Sequence, residues 1–201
     1  MAPSLPSPLD REERLLLLAL ARAALHRSVA GASPPDVAGC KVPPRLAEPA
    51  GCFVTLTRAG QLRGCIGNLE PRWPLWQATI ENARAAALRD SRFPPVTPDE
   101  LDTIEIEISV LTPPQPLPFA SPAELLAKLE PGRDGVVLEL GARRVTFLPQ
   151  VWQKFPDKAG FLDQLALKAG AAPGDWRRAG TAVKTYRVEH FSEADAATEE
   201  G

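Results

Sequence analysis

The sequence predicts an α+β protein in which the order helix, strand, strand, helix, strand occurs twice. Three features of the 201 residues point to it. Two pairs of short β-type runs are each joined by a glycine-containing turn, Arg58-Ala59-Gly60 in the first and Gly141-Ala142 in the second. A helical stretch with start signals precedes each pair. A second helix and then an alternating apolar strand follow each pair. The two halves do not share residues, so the repeat rests on pattern. Hairpins and helices in this arrangement belong to the α+β class.

Taken in order, residues 1–8 are small and proline-rich and are expected to be disordered. Asp10, with Glu13 three residues on, is a capping box that opens a helix running to about Val29, with Gly31 just past its end. Its centre is apolar almost all round, so other elements must cover it. Residues 31–50 are proline-rich and read as an irregular connection. The first hairpin pairs Cys52–Thr57 with Gln61–Ile66, and a helix over Pro74–Arg89 leads to a strand at Thr103–Leu111. The second half repeats this with a helix at Pro122–Leu129 behind Ser121 and a hairpin of Val136–Leu140 with Arg143–Leu148. A helix at Lys158–Ala169 capped by Asp157 and a strand at Ala182–Phe191 complete it. The folded part is thus expected over 9–192, as pseudo-repeats of about 9–111 and 121–192, with 193–201 a disordered tail.

Alternation assigns faces. Cys52, Val54 and Leu56 share the core side of the first strand, as do Ile104, Ile106, Ile108 and Val110 of the third. With Arg58-Ala59-Gly60 as a three-residue loop and Gly60 left-handed, Thr57 pairs with Gln61. Leu56 then meets Leu62, Arg63 faces Thr55, and Cys65 faces Phe53 away from the core. A two-residue loop would bring Arg63 to the core side, which is costly without a partner. In the second hairpin a two-residue type II′ turn pairs Leu140 with Arg143, Glu139 with Arg144, Leu138 with Val145 and Val136 with Phe147.

Composition narrows the function. Apolar content of 44% with 24% charged residues is that of a globular protein. A net charge of −2 offers no electrostatic ground for a nucleic-acid backbone as the main partner. Cys40, Cys52 and Cys65 form no CxxC, and with His26 and His190 they make no metal-ligand pattern, so neither a metal nor a cofactor is expected. Reduced thiols suit the cytoplasm. Leu15–Ala21 is short, preceded by Glu12 and Glu13 and ended by Arg22, which does not suit a secretion signal, and no stretch is long enough to span a membrane.

The chemistry centres on Gln61–Gly67, Q-L-R-G-C-I-G. Gly64 and Gly67 around Cys65 and Ile66 leave backbone open to close approach. Arg63 places a guanidinium where it favours the thiolate, the nucleophilic form of cysteine. Glu107 is the candidate partner for Arg63 or proton acceptor for Cys65. Arg92, held in front of the rigid Phe93-Pro94-Pro95, is a candidate anion ligand, with Phe93 beside it. Cys65 could equally be a small apolar residue in a strand, and the acids of Ile104–Val110 a solvent-facing row.

Several long stretches carry a resemblance: F-V-T-L-T-R-A-G-Q-L-R-G-C-I-G-N-L-E-P from Phe53, E-N-A-R-A-A-A-L-R-D-S-R-F-P-P from Glu81, and I-E-I-E-I-S-V-L-T-P-P from Ile104. G-R-D-G-V at Gly132–Val136 and T-F-L-P-Q-V at Thr146–Val151 add to it. Over about residues 9–192 the chain resembles the AMMECR domain family, also called AmmeMemoRadiSam system protein A, for which L-R-G-C-I-G is specific. The resemblance implies two repeats sharing one curved, mostly antiparallel sheet. It also implies radical-SAM and Memo-like proteins as partners, but names no settled reaction. Two readings follow. One is modification of a small molecule or a nucleotide/RNA substrate through Cys65, with Arg63 and Glu107 assisting. The other is a non-catalytic ligand- or protein-binding module using Leu62–Gly67 and the nearby arginines.

Overall fold

The computed structural model describes residues 8–198 except 38 and 40. The expected disorder of residues 1–7 lies outside that range. In chain order the elements are α1 (Arg11–Val29), β1 (Gly51–Arg58), β2 (Gln61–Asn68), α2 (Leu75–Leu88), β3 (Ile104–Leu111), β4 (Gln115–Pro116), α3 (Pro122–Lys128), β5 (Gly135–Leu140), β6 (Arg143–Phe147), α4 (Lys158–Lys168), β7 (Ala182–Tyr186), β8 (Val188–Ser192) and α5 (Glu193–Thr198). They form two units, one of Met1–Leu111 with Glu189–Gly201 and the other of Thr112–Val188.

The α+β class holds, but the strands form two four-stranded sheets rather than one. Their orders are β2-β1-β3-β8 and β4-β7-β5-β6. Read from the hairpin edge, both run second hairpin strand, first hairpin strand, strand after the helix, fourth strand. The fourth strand comes from outside the expected repeat in each case. The strand expected over Ala182–Phe191 breaks at Arg187, whose guanidinium sits on Asp134 at 2.9 Å and Glu130 at 3.2 Å. β8 beyond the break joins the first sheet. The tail expected to be disordered from 193 opens instead with α5, whose Glu193 accepts from the Arg22 guanidinium and from the Ile106 N–H.

In the first unit α1 starts at the expected capping box, Asp10 accepting from the Glu13 N–H and Glu13 from the Asp10 N–H. It packs on α2, and α2 on β1 and β2. Leu17, Ala21, Ala24 and Leu25 of α1 and Ala78, Ala83, Ala86 and Ala87 of α2 are buried with Cys52, Val54, Leu56, Ile104, Ile106 and Ile108. These are the core faces that alternation assigned. The alanines of α2 let its backbone come very close to the sheet. A Cβ on Gly64 would stand 2.3 Å from the Ala86 carbonyl oxygen.

The first hairpin departs from its expected register. It turns on two residues, with Ala59 at φ 49° and Gly60 at φ 74°, the pair of positive values a type I′ turn needs. Arg58 pairs with Gln61 and Thr57 with Leu62, then the register shifts, and Leu56 pairs with Gly64, Thr55 with Cys65 and Val54 with Ile66. Arg63 is the extra residue of a β-bulge. Leu62, expected in the core, is 43% exposed. Cys65 keeps its expected face but lies across from Thr55 rather than Phe53, because the bulge restores the parity that the shorter turn removes.

The second hairpin pairs as expected, Leu140 with Arg143 through Val136 with Phe147. Gly141 at φ 60° is its left-handed turn residue. The second unit's core joins Leu125, Leu138, Trp152, Phe161 and Leu165, with the Trp152 ring stacked on Phe161 at 3.6 Å.

Candidate functional site

Cys65 stands on the sheet face turned away from α1 and α2. Val54 and Leu56 point into the helix-covered core, so Thr55 points to the opposite side, and its cross-strand partner Cys65 shares that side. The Thr55 hydroxyl donates to Cys65 Sγ over 3.3 Å. Glu107 pairs with Thr55 from the other flank. Cys65, Thr55 and Glu107 thus make one row across three strands, the outer two about 10 Å apart at the backbone.

β2 is an edge strand, so the Cys65 peptide groups that point outward have no strand to bond. Two residues beyond the end of α2 supply the partners. Asp90 Oδ2 accepts from the Cys65 N–H at 2.8 Å, and Arg92 Nη2 donates to the Cys65 carbonyl at 3.1 Å. The two side chains also hold each other, Arg92 Nε on Asp90 Oδ1 at 2.9 Å and Nη2 on Oδ2 at 2.6 Å. The Arg92 N–H closes a local turn on Oδ1 at 3.1 Å. The Asp90 side chain is 4% exposed and that of Arg92 54%. Hydrogen bonding to Arg92 and the Cys65 N–H holds the Asp90 carboxyl well below the usual carboxylate range. The Arg92 guanidinium is raised mainly by Asp90, and the Cys65 thiol adds to it.

The guanidinium bonded to Cys65, at its carbonyl, is therefore that of Arg92. Arg63, expected in that role, turns to Glu100, with Nε at 2.8 Å from Oε1 and Nη2 at 2.9 Å from Oε2. It also donates to the Pro94 and Pro95 carbonyls at 3.0 and 3.3 Å, tying down the segment after Arg92. Arg63 and Glu100 are nearly buried, and the Arg63 fork with the Thr97 N–H pulls the Glu100 carboxyl down to about 2.

The two glycines are approached closely, but from within the protein. Ala86 covers Gly64, and a Cβ on Gly67 would meet the Phe53 ring at 2.2 Å. Ile66 packs against the helix-covered core. Phe93 lies under the Arg92 guanidinium at 5.5 Å. Cys52 is fully buried, and desolvation pushes its thiol up to about 11. His190 is on β8, the edge opposite β2, and His26 is on α1 over the other face, so neither reaches Cys65. Among the described residues no group of three or more His, Cys, Asp or Glu could hold a metal ion. No described helix is long and apolar enough to cross a membrane.

Sequence reasoning put Cys65, Thr55 and Glu107 on this face and Arg92 near it, gave Thr55 no role, and missed Asp90 and Glu100. Asp90 two residues before Arg92 permits a local turn, and that spacing is its only signal. Its reach to a residue 25 positions back is a tertiary fact.

The model of the family AMMECR1 matches residues 18–191. The chain belongs to the AMMECR1 family. A protein of Thermofilum pendens is 42% identical over 92% of this chain and 92% of its own length. One of Methanocaldococcus jannaschii is 38% identical over 93% of each. The crystal structure of an uncharacterized protein from Pyrococcus horikoshii matches with a TM-score of 0.81 at 37% identity, covering 92% of this chain and 93% of that one.

Proposed function

We propose that this AMMECR1-family chain is a cysteine-dependent enzyme acting on a small anionic molecule, with nucleotides among the candidates and Cys65 as the thiolate. The observation that carries the proposal is the pair of donors around Cys65: the Thr55 hydroxyl on Sγ at 3.3 Å and the Arg92 guanidinium on the Cys65 carbonyl at 3.1 Å. A hydroxyl donor and a nearby guanidinium are surroundings in which cysteines serve as nucleophiles. Arg92 is half-exposed and can also meet a carboxylate or phosphate. In the proposed step Sγ gives an electron pair to an electrophilic carbon, and the leaving group departs with its own bonding pair. Glu107, beyond Thr55 in the row and about 10 Å from Cys65 at the backbone, is proposed to take the thiol proton by way of Thr55 or a water. Radical-SAM and Memo-like proteins enter as the proposed source or recipient of the molecule. The cytoplasm, where thiols stay reduced, is the proposed location.

A binding module on Leu62–Gly67 is the second reading, favoured by the exposure of Arg92. The filling of Gly64 and Gly67 from inside counts against it. Site-resolved alkylation by iodoacetamide at pH 7 separates the two. Cys65 is expected to react about tenfold faster in the folded chain than in the same chain unfolded in urea. Equal or slower reaction sinks the thiolate and leaves the binding reading, under which Cys65→Ser retains ligand.

A further inference from the structure

We infer that Asp90 is the positioning residue of this site, holding the Arg92 guanidinium against Cys65 and fixing the Cys65 peptide in the same grip. The inference rests on the proposed role of Cys65 but is measured separately from it.

The geometry is a closed ring. Asp90 Oδ1 takes the Arg92 N–H and Nε, and Oδ2 takes Arg92 Nη2 and the Cys65 N–H. A carboxylate has about four lone-pair sites, so this set saturates it. Arg92 then closes the ring on the Cys65 carbonyl. Among the described residues, Asp90 is the carboxylate bonded to the Arg92 fork. Without it a side chain 54% exposed would sample solvent. The Arg63–Glu100 pair cannot stand in, because its guanidinium is held at Glu100 and the proline carbonyls. Asparagine at 90 keeps the shape but has one acceptor oxygen, so it keeps either the Oδ1 bonds to Arg92 N–H and Nε or the Oδ2 bonds to Nη2 and the Cys65 N–H.

A structural plug for the β2 edge would also use Asp90, so stability alone does not decide. The deciding measurement is a double-mutant cycle on the rate of Cys65 alkylation by iodoacetamide across pH, with the thermal midpoint recorded beside it. Asp90→Asn and Arg92→Gln are each expected to slow Cys65 about tenfold at pH 7, and the double variant no further than Arg92→Gln alone. Independent, multiplying effects overturn the inference, as does an Asp90→Asn profile within about twofold of the parent. If Asp90→Asn does not fold, Arg92→Lys decides. It keeps the charge and loses the fork, so it must be as slow as Arg92→Gln, and a parental rate overturns the inference. The folded-against-unfolded comparison tests the thiolate reading by itself. If that fails while the cycle still couples residues 90 and 92, the positioning role stands and the chemistry falls.

Discussion

The two hairpins occupy the same place in sheets of the same strand order, and they differ in regularity. The second, β5–β6, runs in unbroken register from a glycine-led turn. The first, β1–β2, turns on an alanine at positive φ and shifts register between Leu56 and Thr57. The irregular hairpin carries the cysteine. Its bulge sends Arg63 to Glu100 while Cys65 returns to the open face, where Asp90 and Arg92 meet it. In the regular hairpin the residue opposite Val137, where β1 has Thr55, is Thr146, whose hydroxyl is held by the Val136 carbonyl and Tyr186. One architecture thus supports a packed sheet in one copy and a half-buried polar constellation in the other. Bulges are a common way to re-aim a side chain near a functional site.

The sharpest way to break this comparison is at the residue opposite the core leucine. Gly64 faces Leu56 where Val145 faces Leu138. Gly64→Ala would put a Cβ 2.3 Å from the Ala86 backbone, which has no flexible end to give way. It is expected to cost about 3 kcal/mol in urea unfolding. Val145→Ala only trims a half-buried side chain and should cost about 1 kcal/mol. Equal costs would mean that α2 does not lie this close to β2.

Charge gives the next contrast. Glu100→Gln leaves the nearly buried Arg63 guanidinium without its carboxylate, with an expected loss of about 3 kcal/mol. Glu139→Gln, at a carboxylate 27% exposed between Arg144 and Lys184, should lose less than about 1 kcal/mol. The pH dependence has a definite sign. The Glu100 carboxyl lies below its ordinary 4.5, at about 2 in the folded protein. Its contribution is therefore complete above pH 4.5 and is lost as the pH falls toward 2. Thermal midpoints should drop across that window in the parent and less steeply in Glu100→Gln. Parallel curves would remove Glu100 from the account.

The smallest effect lies in the turns. Ala59→Gly relieves a left-handed alanine and should add about 0.5 kcal/mol, the relief of strain exceeding glycine's chain entropy. Ala142→Gly relieves nothing, since Ala142 is not among the residues at positive φ, and should lose about 0.5 kcal/mol. Opposite signs in chemical denaturation support the two turn types, and matching signs would refute them.

What the sequence settled by itself are the features set over a few residues. Asp10 with Glu13 and Asp157 with Gly160 start helices where side chain and backbone lie within one turn. Val54, Leu56, Ile104, Ile106 and Ile108 declare the core face by strict alternation, and Gly141 fixes a register two residues wide. Tertiary structure alone decided which arginine holds Cys65. A short turn and a bulge offset one another in parity, so the face of Cys65 was legible while its partner and the path to it were not. Arg63 reaches Glu100 across 37 positions, and Asp90 reaches Cys65 across 25. Local periodicity has no term for such separations. The break at Arg187, whose guanidinium meets Asp134 and Glu130 far back in the chain, is likewise a matter of long separations. Long polar side chains take whatever buried partner the packed elements present, and that choice exists only once the elements have packed.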